Sequence, residues 1–120
     1  MPGVRPMRHA RRSLLIGARH DYQRPGAYGA EEFRAVVTAV CLERDIKALA
    51  EEMSTDGLAP YHTTESICEQ VASALGIPHR YCDPSREQQL ALGIADPGAE
   101  GDPVADAIRM RWWLECIQKT

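Results

Sequence analysis

The sequence predicts a small α/β fold, a parallel sheet of about three strands with flanking helices in three layers. Three observations predict it. Short apolar runs at residues 13–18, 46–50 and 77–82 alternate with longer segments whose apolar residues recur at helical spacing. Glycine and proline punctuate the junctions, as at Pro25-Gly26, Gly76 and Pro84. Each apolar run passes into ionisable residues: His20 after the first, Glu51-Glu52 after the second, Asp83 after the third. In a parallel sheet the carboxyl ends of the strands share one edge, where ligands bind.

Each element has its own justification. Residues 13–18 read as a first strand, and residues 21–29 as a loop broken by Pro25, Gly26 and Gly29. A helix is expected from Ala30 to Arg44, because Phe33, Val36, Val37, Val40 and Cys41 share one face. Glu31 and Glu32 suit its first turn, where the helix dipole favours negative charge. Residues 46–50 form the second strand and residues 53–62 a loop. A second helix is expected over 64–75, with Thr63 or Thr64 as N-cap and Ile67, Cys68, Val71, Ala72 and Leu75 as its buried stripe. Gly76 stands where a helix ends in the left-handed region, and Pro78 cannot continue the helix. Residues 77–82 form the third strand. Ser85 caps a short helix over 86–92, with Gln88 completing a capping box. A polar loop spans 95–103, and a last helix runs from 104 to 118 with apolar residues on more than one face. Trp112 and Trp113 in that helix read as packing anchors.

The 120 residues suffice for one domain with a modest core. Residues 1–12 are expected to be a disordered basic tail and residues 13–120 a single α/β domain. The tail holds four of the fourteen Lys and Arg residues and no acid. The remainder therefore sets ten basic residues against seventeen acidic ones, a formal charge of −7. So acidic a body is a poor partner for nucleic acid, whose binding rests on phosphate neutralisation. No apolar run approaches the ~18 residues of a membrane span, and the basic start lacks the apolar stretch of a secretory signal. The expected location is the cytoplasm, with no membrane partner. Cys41, Cys68, Cys82 and Cys116 form no CxxC pair and read as buried free thiols. Cys82 stands apart because it adjoins Asp83 at a strand end, where a nearby cation could make it reactive.

The candidate site follows from the strand ends. Gly17 allows a turn that carries His20 to the sheet edge as a base or metal ligand. Glu51 and Glu52 point to opposite sides in an extended chain, one toward the His20 edge and the other toward the helix layer or an arginine. Paired glutamates suit acid–base work or a divalent metal, so His20, Glu51 and Glu52 are the expected catalytic and metal-ligating set. Asp83, Arg86 and Arg109 are expected to bind substrate. His62 falls in a loop. His79 falls at the amino end of its strand, opposite the expected site, and is left outside it. No nucleotide-loop, zincin or serine-hydrolase motif occurs.

Gly17-Ala18-Arg19-His20, a GxxH motif, together with Glu51-Glu52, resembles the TraB/Tiki and ChaN-like group, related to erythromycin-esterase-like proteins. The stretches from Ala50 to Ser54 and from His79 to Pro84 are similar to small uncharacterised bacterial proteins of this layout. The resemblance implies an α/β fold with paired glutamates at one sheet edge, in a group of metal-dependent peptidases, esterases and haem-binding proteins. A second GxxH motif does not follow Asp83, so the resemblance implies a shortened member lacking the second half.

The expected function is that of a metal-dependent hydrolase-like protein acting on a small-molecule or peptide substrate at the strand edge. The alternative is a non-enzymatic module that binds a protein or a small ligand. In that case the sheet edge or the C-terminal helix would serve as a homo-oligomer contact.

Overall fold

The computed structural model describes residues 14–97, 99 and 101–120. The expected basic tail, residues 1–12, lies outside the described residues. The fold is mixed: a two-stranded parallel sheet with flanking helices. In chain order the elements are α1 (Ala30–Glu43), β1 (Leu49–Glu51), α2 (Thr55–Leu58), α3 (Ile67–Leu75), β2 (His79–Tyr81), α4 (Arg86–Ala91) and α5 (Pro103–Lys119). Short 3-10 turns cover His20–Gln23 and Ala59–Tyr61.

The core lies between α1 and α3. Ala30, Val37 and Cys41 of α1 pack with Ile67 and Val71 of α3, and Phe33, Ile46, Leu49 and Ile77 close the edges. The apolar stripes expected from spacing supply the faces that meet, but Val36 is 52% exposed and Val40 is only half-buried and outside the packed cluster. The α3 cap is Ser66 rather than Thr63 or Thr64, with Ser66 Oγ accepting from the Glu69 N–H. Gly76 ends α3 in the left-handed region, its N–H reaching back to Ala72 and Ser73 carbonyls. The expected loop over 53–62 contains the short helix α2, capped by Ser54, and Leu58 there is completely buried.

The strands pair in parallel as Leu49 with His79, Ala50 with Arg80 and Glu51 with Tyr81. Each is three residues long, for a local reason. Pro78 has no N–H to give, so it serves the ladder only as an acceptor, from Leu49 N–H at 2.9 Å. Beyond Glu51 the chain folds on itself: the Glu51 carbonyl accepts from both Met53 N–H at 2.9 Å and Cys82 N–H at 2.8 Å. The expected three-stranded layer is two-stranded among the described residues. Residues 14–19 are irregular, and Leu14, Leu15 and Ile16 are 50%, 77% and 42% exposed. A three-residue apolar run carries no periodicity that separates a strand from an exposed segment.

Gly29 fixes how the turn before α1 is held. It sits at φ 83°, and a Cβ there would fall 2.6 Å from Tyr22 Cε1. Glycine alone permits this approach, which sets the turn carrying His20 and Gln23 against α1.

Cys82 and Cys116 form a disulfide with Cα atoms 5.5 Å apart, which corrects the expectation that all four cysteines are free. Cys41 and Cys68 are the free thiols. Sequence spacing could not reveal the pair, because the two cysteines stand 34 positions apart with α4, a loop and most of α5 between them.

Candidate functional site

Glu51 is the structural centre of the strand edge. Its side chain is 2% exposed. Oε1 lies 2.7 Å from His79 Nε2 and accepts from Ser66 Oγ at 2.5 Å. Oε2 accepts from Gln23 Nε2 at 2.8 Å. An ionised carboxylate only accepts, so the His79 tautomer with a proton on Nε2 fits this contact. The side chains come together because of strand parity. Residues 49 and 51 of β1 share a face with residues 79 and 81 of β2, given the observed register. His79 was set aside because it stands at the opposite end of its strand. In a three-residue strand, however, two residues span only ~6.6 Å, within reach of two long side chains.

The same face stitches the sheet to α3. The Tyr81 hydroxyl donates to the Glu69 carboxylate and accepts from Ser66 N–H at 2.9 Å. Burial, and then the bond to Glu69, push the Tyr81 hydroxyl up to about 12. The His79 and Tyr81 rings meet edge to face with centroids 4.5 Å apart. Cys68 lies beside this group, and burial, reinforced by the Glu51 charge, pushes its thiol up. None of Gln23, Ser66, Glu69 or Tyr81 was singled out from sequence. Their meeting depends on the register of β1 against β2 and on the packing of α3, which no local pattern encodes.

Glu52 lies just past β1, where the Met53 N–H turns back to the Glu51 carbonyl. It is exposed, as is His20, whose Nδ1 lies 3.2 Å from Gln23 Oε1. Asp83 is half-buried between these groups. Burial pushes its carboxyl above the ordinary range and the Glu52 charge adds to this, while His20 and Arg109 pull the other way. Glu52, His20 and Arg109 are thus each within electrostatic reach of Asp83. Gln23 joins this edge to the buried face, because its Nε2 also reaches the Glu52 carbonyl at 3.4 Å.

Arg109 reaches this edge from α5. Its Nε donates to Gln89 Oε1 at 3.0 Å and its Nη1 to Asp106 at 2.9 Å, while Gln89 Nε2 donates to the Pro84 carbonyl. Arg109 Nη2 and Trp113 Nε1 are buried and have no hydrogen-bond partner among the described residues. Arg86 is exposed, and its backbone N–H donates to Asp56 at 2.8 Å. Among the described residues its side chain has no ion pair or hydrogen bond.

The metal set expected from sequence, His20, Glu51 and Glu52, is not gathered at one point. Glu51 spends both oxygens on three protein groups and is buried, whereas Glu52 is exposed. Among the described residues no group of three or more His, Cys, Asp and Glu side chains is placed to hold a metal ion. The arrangement separates two tasks: Glu51 and His79 fix the frame, and Asp83 with Glu52 and His20 presents titratable groups at its rim.

Comparison with known proteins returns no matching family model, no matching curated protein and no matching solved structure. No helix among the described residues is long and apolar enough to cross a membrane.

Proposed function

We propose that the protein is a hydrolase-like enzyme working by general acid–base chemistry at the strand edge, in keeping with the resemblance of its GxxH and paired-glutamate motifs. One observation carries this reading: half-buried Asp83 with a raised carboxyl stands within electrostatic reach of exposed Glu52. A half-buried carboxyl that holds its proton more tightly can serve as the acid beside an exposed carboxyl as the base. Asp83 is the proton donor to the leaving group, Glu52 the base that activates water, and His20 the group that balances their charge. Arg109 binds the substrate, a small molecule or peptide.

Hydrolysis of a panel of ester and peptide substrates tests the proposal. Asp83→Asn and Glu52→Gln should each lower turnover by about 10²-fold or more, with unchanged far-UV circular dichroism. Activity retained in both variants overturns it. The same assay with and without a chelator tests the divalent metal. Loss of activity on chelation, restored by adding the metal back, assigns the water to a metal rather than to Glu52.

A second reading rests on the surface of α5, where Val104, Met110 and Leu114 are 70%, 54% and 50% exposed. Here the protein binds a second copy or another protein through this helix or through the open edge of β1. Light scattering that finds only monomer at ~100 μM, well above a micromolar association, rejects the homo-oligomer. Cellular location follows the Cys82–Cys116 bond: the cytoplasm keeps such bonds reduced, and an oxidising compartment keeps them closed.

A further inference from the structure

Helix α5 buries only one of its side chains fully, and Trp112 and Trp113 are half-buried. Ala105 is its buried residue, and apolar Val104, Met110 and Leu114 face solvent. Arg109 Nη2 and Trp113 Nε1 are buried without acceptors among the described residues, which penalises the docked position. Arg109, Trp113 and Cys116 fall at i, i+4 and i+7 on the helix, so the two unpartnered donors and the disulfide share a face. The bond that fastens this face runs to Cys82, which is completely buried and immediately precedes Asp83.

We propose that the Cys82–Cys116 disulfide is a redox clasp that holds α5 over the strand edge, and that reduction by a dithiol releases the helix. Cys116 is half-exposed and Cys82 fully buried, so the reductant attacks Cys116 Sγ. Its thiolate forms a mixed disulfide there as the Cys82–Cys116 bond breaks. Its second thiol then displaces Cys116, and the reductant leaves as a disulfide. Two electrons and two protons end on Cys82 and Cys116 as thiols. Cys41 and Cys68 do not compete, because burial raises both thiols and the thiolate is the reactive form. Release of α5 exposes the spare donors of Arg109 and Trp113 and uncovers Asp83. The clasp stands independently of the chemistry at that edge.

Both tryptophans of the chain lie on α5 and are half-buried, so their fluorescence reports its docking. The full chain is compared in air-oxidised form, after native reduction with dithiothreitol, and after reoxidation. Reduction should shift tryptophan emission to the red and speed amide exchange over Pro103–Lys119 by about tenfold or more, while α1 and α3 stay protected. Reoxidation should reverse both changes, and Cys116→Ser should show the released state without reductant. Thiol titration of the denatured, air-oxidised protein should find two thiols. Four thiols, unchanged emission and exchange on reduction, or loss of protection throughout α1 and α3 would each overturn the proposal.

Discussion

At the scale of single residues, Glu51 has the most to lose. Three donors aim at its buried carboxylate, and truncation strands all of them. Glu51→Ala is expected to destabilise the fold by about 3–5 kcal/mol, the usual cost of removing one partner from a buried charged network, measured by urea unfolding. A loss below ~1 kcal/mol would show that water replaces the carboxylate with ease. Asp83 behaves oppositely. Its carboxyl is raised in the fold, so the folded state holds the proton more tightly than the unfolded chain does. Its contribution to stability is present below the ordinary aspartate range and is lost as pH rises through the raised folded value. Asp83→Asn should therefore gain stability relative to the parent at neutral pH and lose that advantage near pH ~3. Thermal unfolding at the two pH values checks the sign. The strand-end positions of His20, Glu52 and Asp83 were legible after the apolar runs, whereas Arg109 comes from the middle of α5. Their roles were not all legible, because adjacent Glu51 and Glu52 differ only in the face each takes.

At the scale of elements, capping shows how the same local chemistry differs in weight. Ser85 caps α4 in a complete capping box at an exposed position. Ser66 caps α3 while its hydroxyl also donates to Glu51. Ser85→Ala should cost about 1 kcal/mol. Ser66→Ala should cost about 2–4 kcal/mol, because a hydrogen bond to a buried charge is lost with the cap. Equal losses on denaturant titration would mean that the bond to Glu51 adds nothing. The Ser85 box was readable because Gln88 stands three residues on. The Ser66 cap was not, since Thr63, Thr64 and Ser66 all qualify by type and only the Glu51 contact selects among them. Helix α5 is the element that spacing describes least. Its apolar residues cover several faces, and the disulfide, absent from any local pattern, decides which face docks. Closing its 34-residue span restricts the unfolded chain by about 3–5 kcal/mol.

At the scale of the whole molecule, charge is the property most directly set by composition. With ten basic and seventeen acidic residues after the first twelve, the body repels phosphate. The full chain is expected to show no measurable retention on duplex DNA at ~0.15 M salt, where counterion release favours strongly basic proteins. Salt-sensitive micromolar retention in a mobility assay would contradict this.

The sequence by itself determined the periodic elements: α1, α3, α4 and α5 at nearly their full lengths, the glycine stop at Gly76, and the two strand positions that flank α3. These depend on residues within a few places of each other, where helical spacing, capping and the missing proline N–H act directly. The tertiary structure alone decided that β1 and β2 pair as Glu51 with Tyr81, that His79 joins Glu51, that residues 14–19 stay irregular, and that Cys82 bonds Cys116. Each of those depends on register or on the meeting of segments dozens of residues apart. Their energies come from contacts that no local pattern encodes.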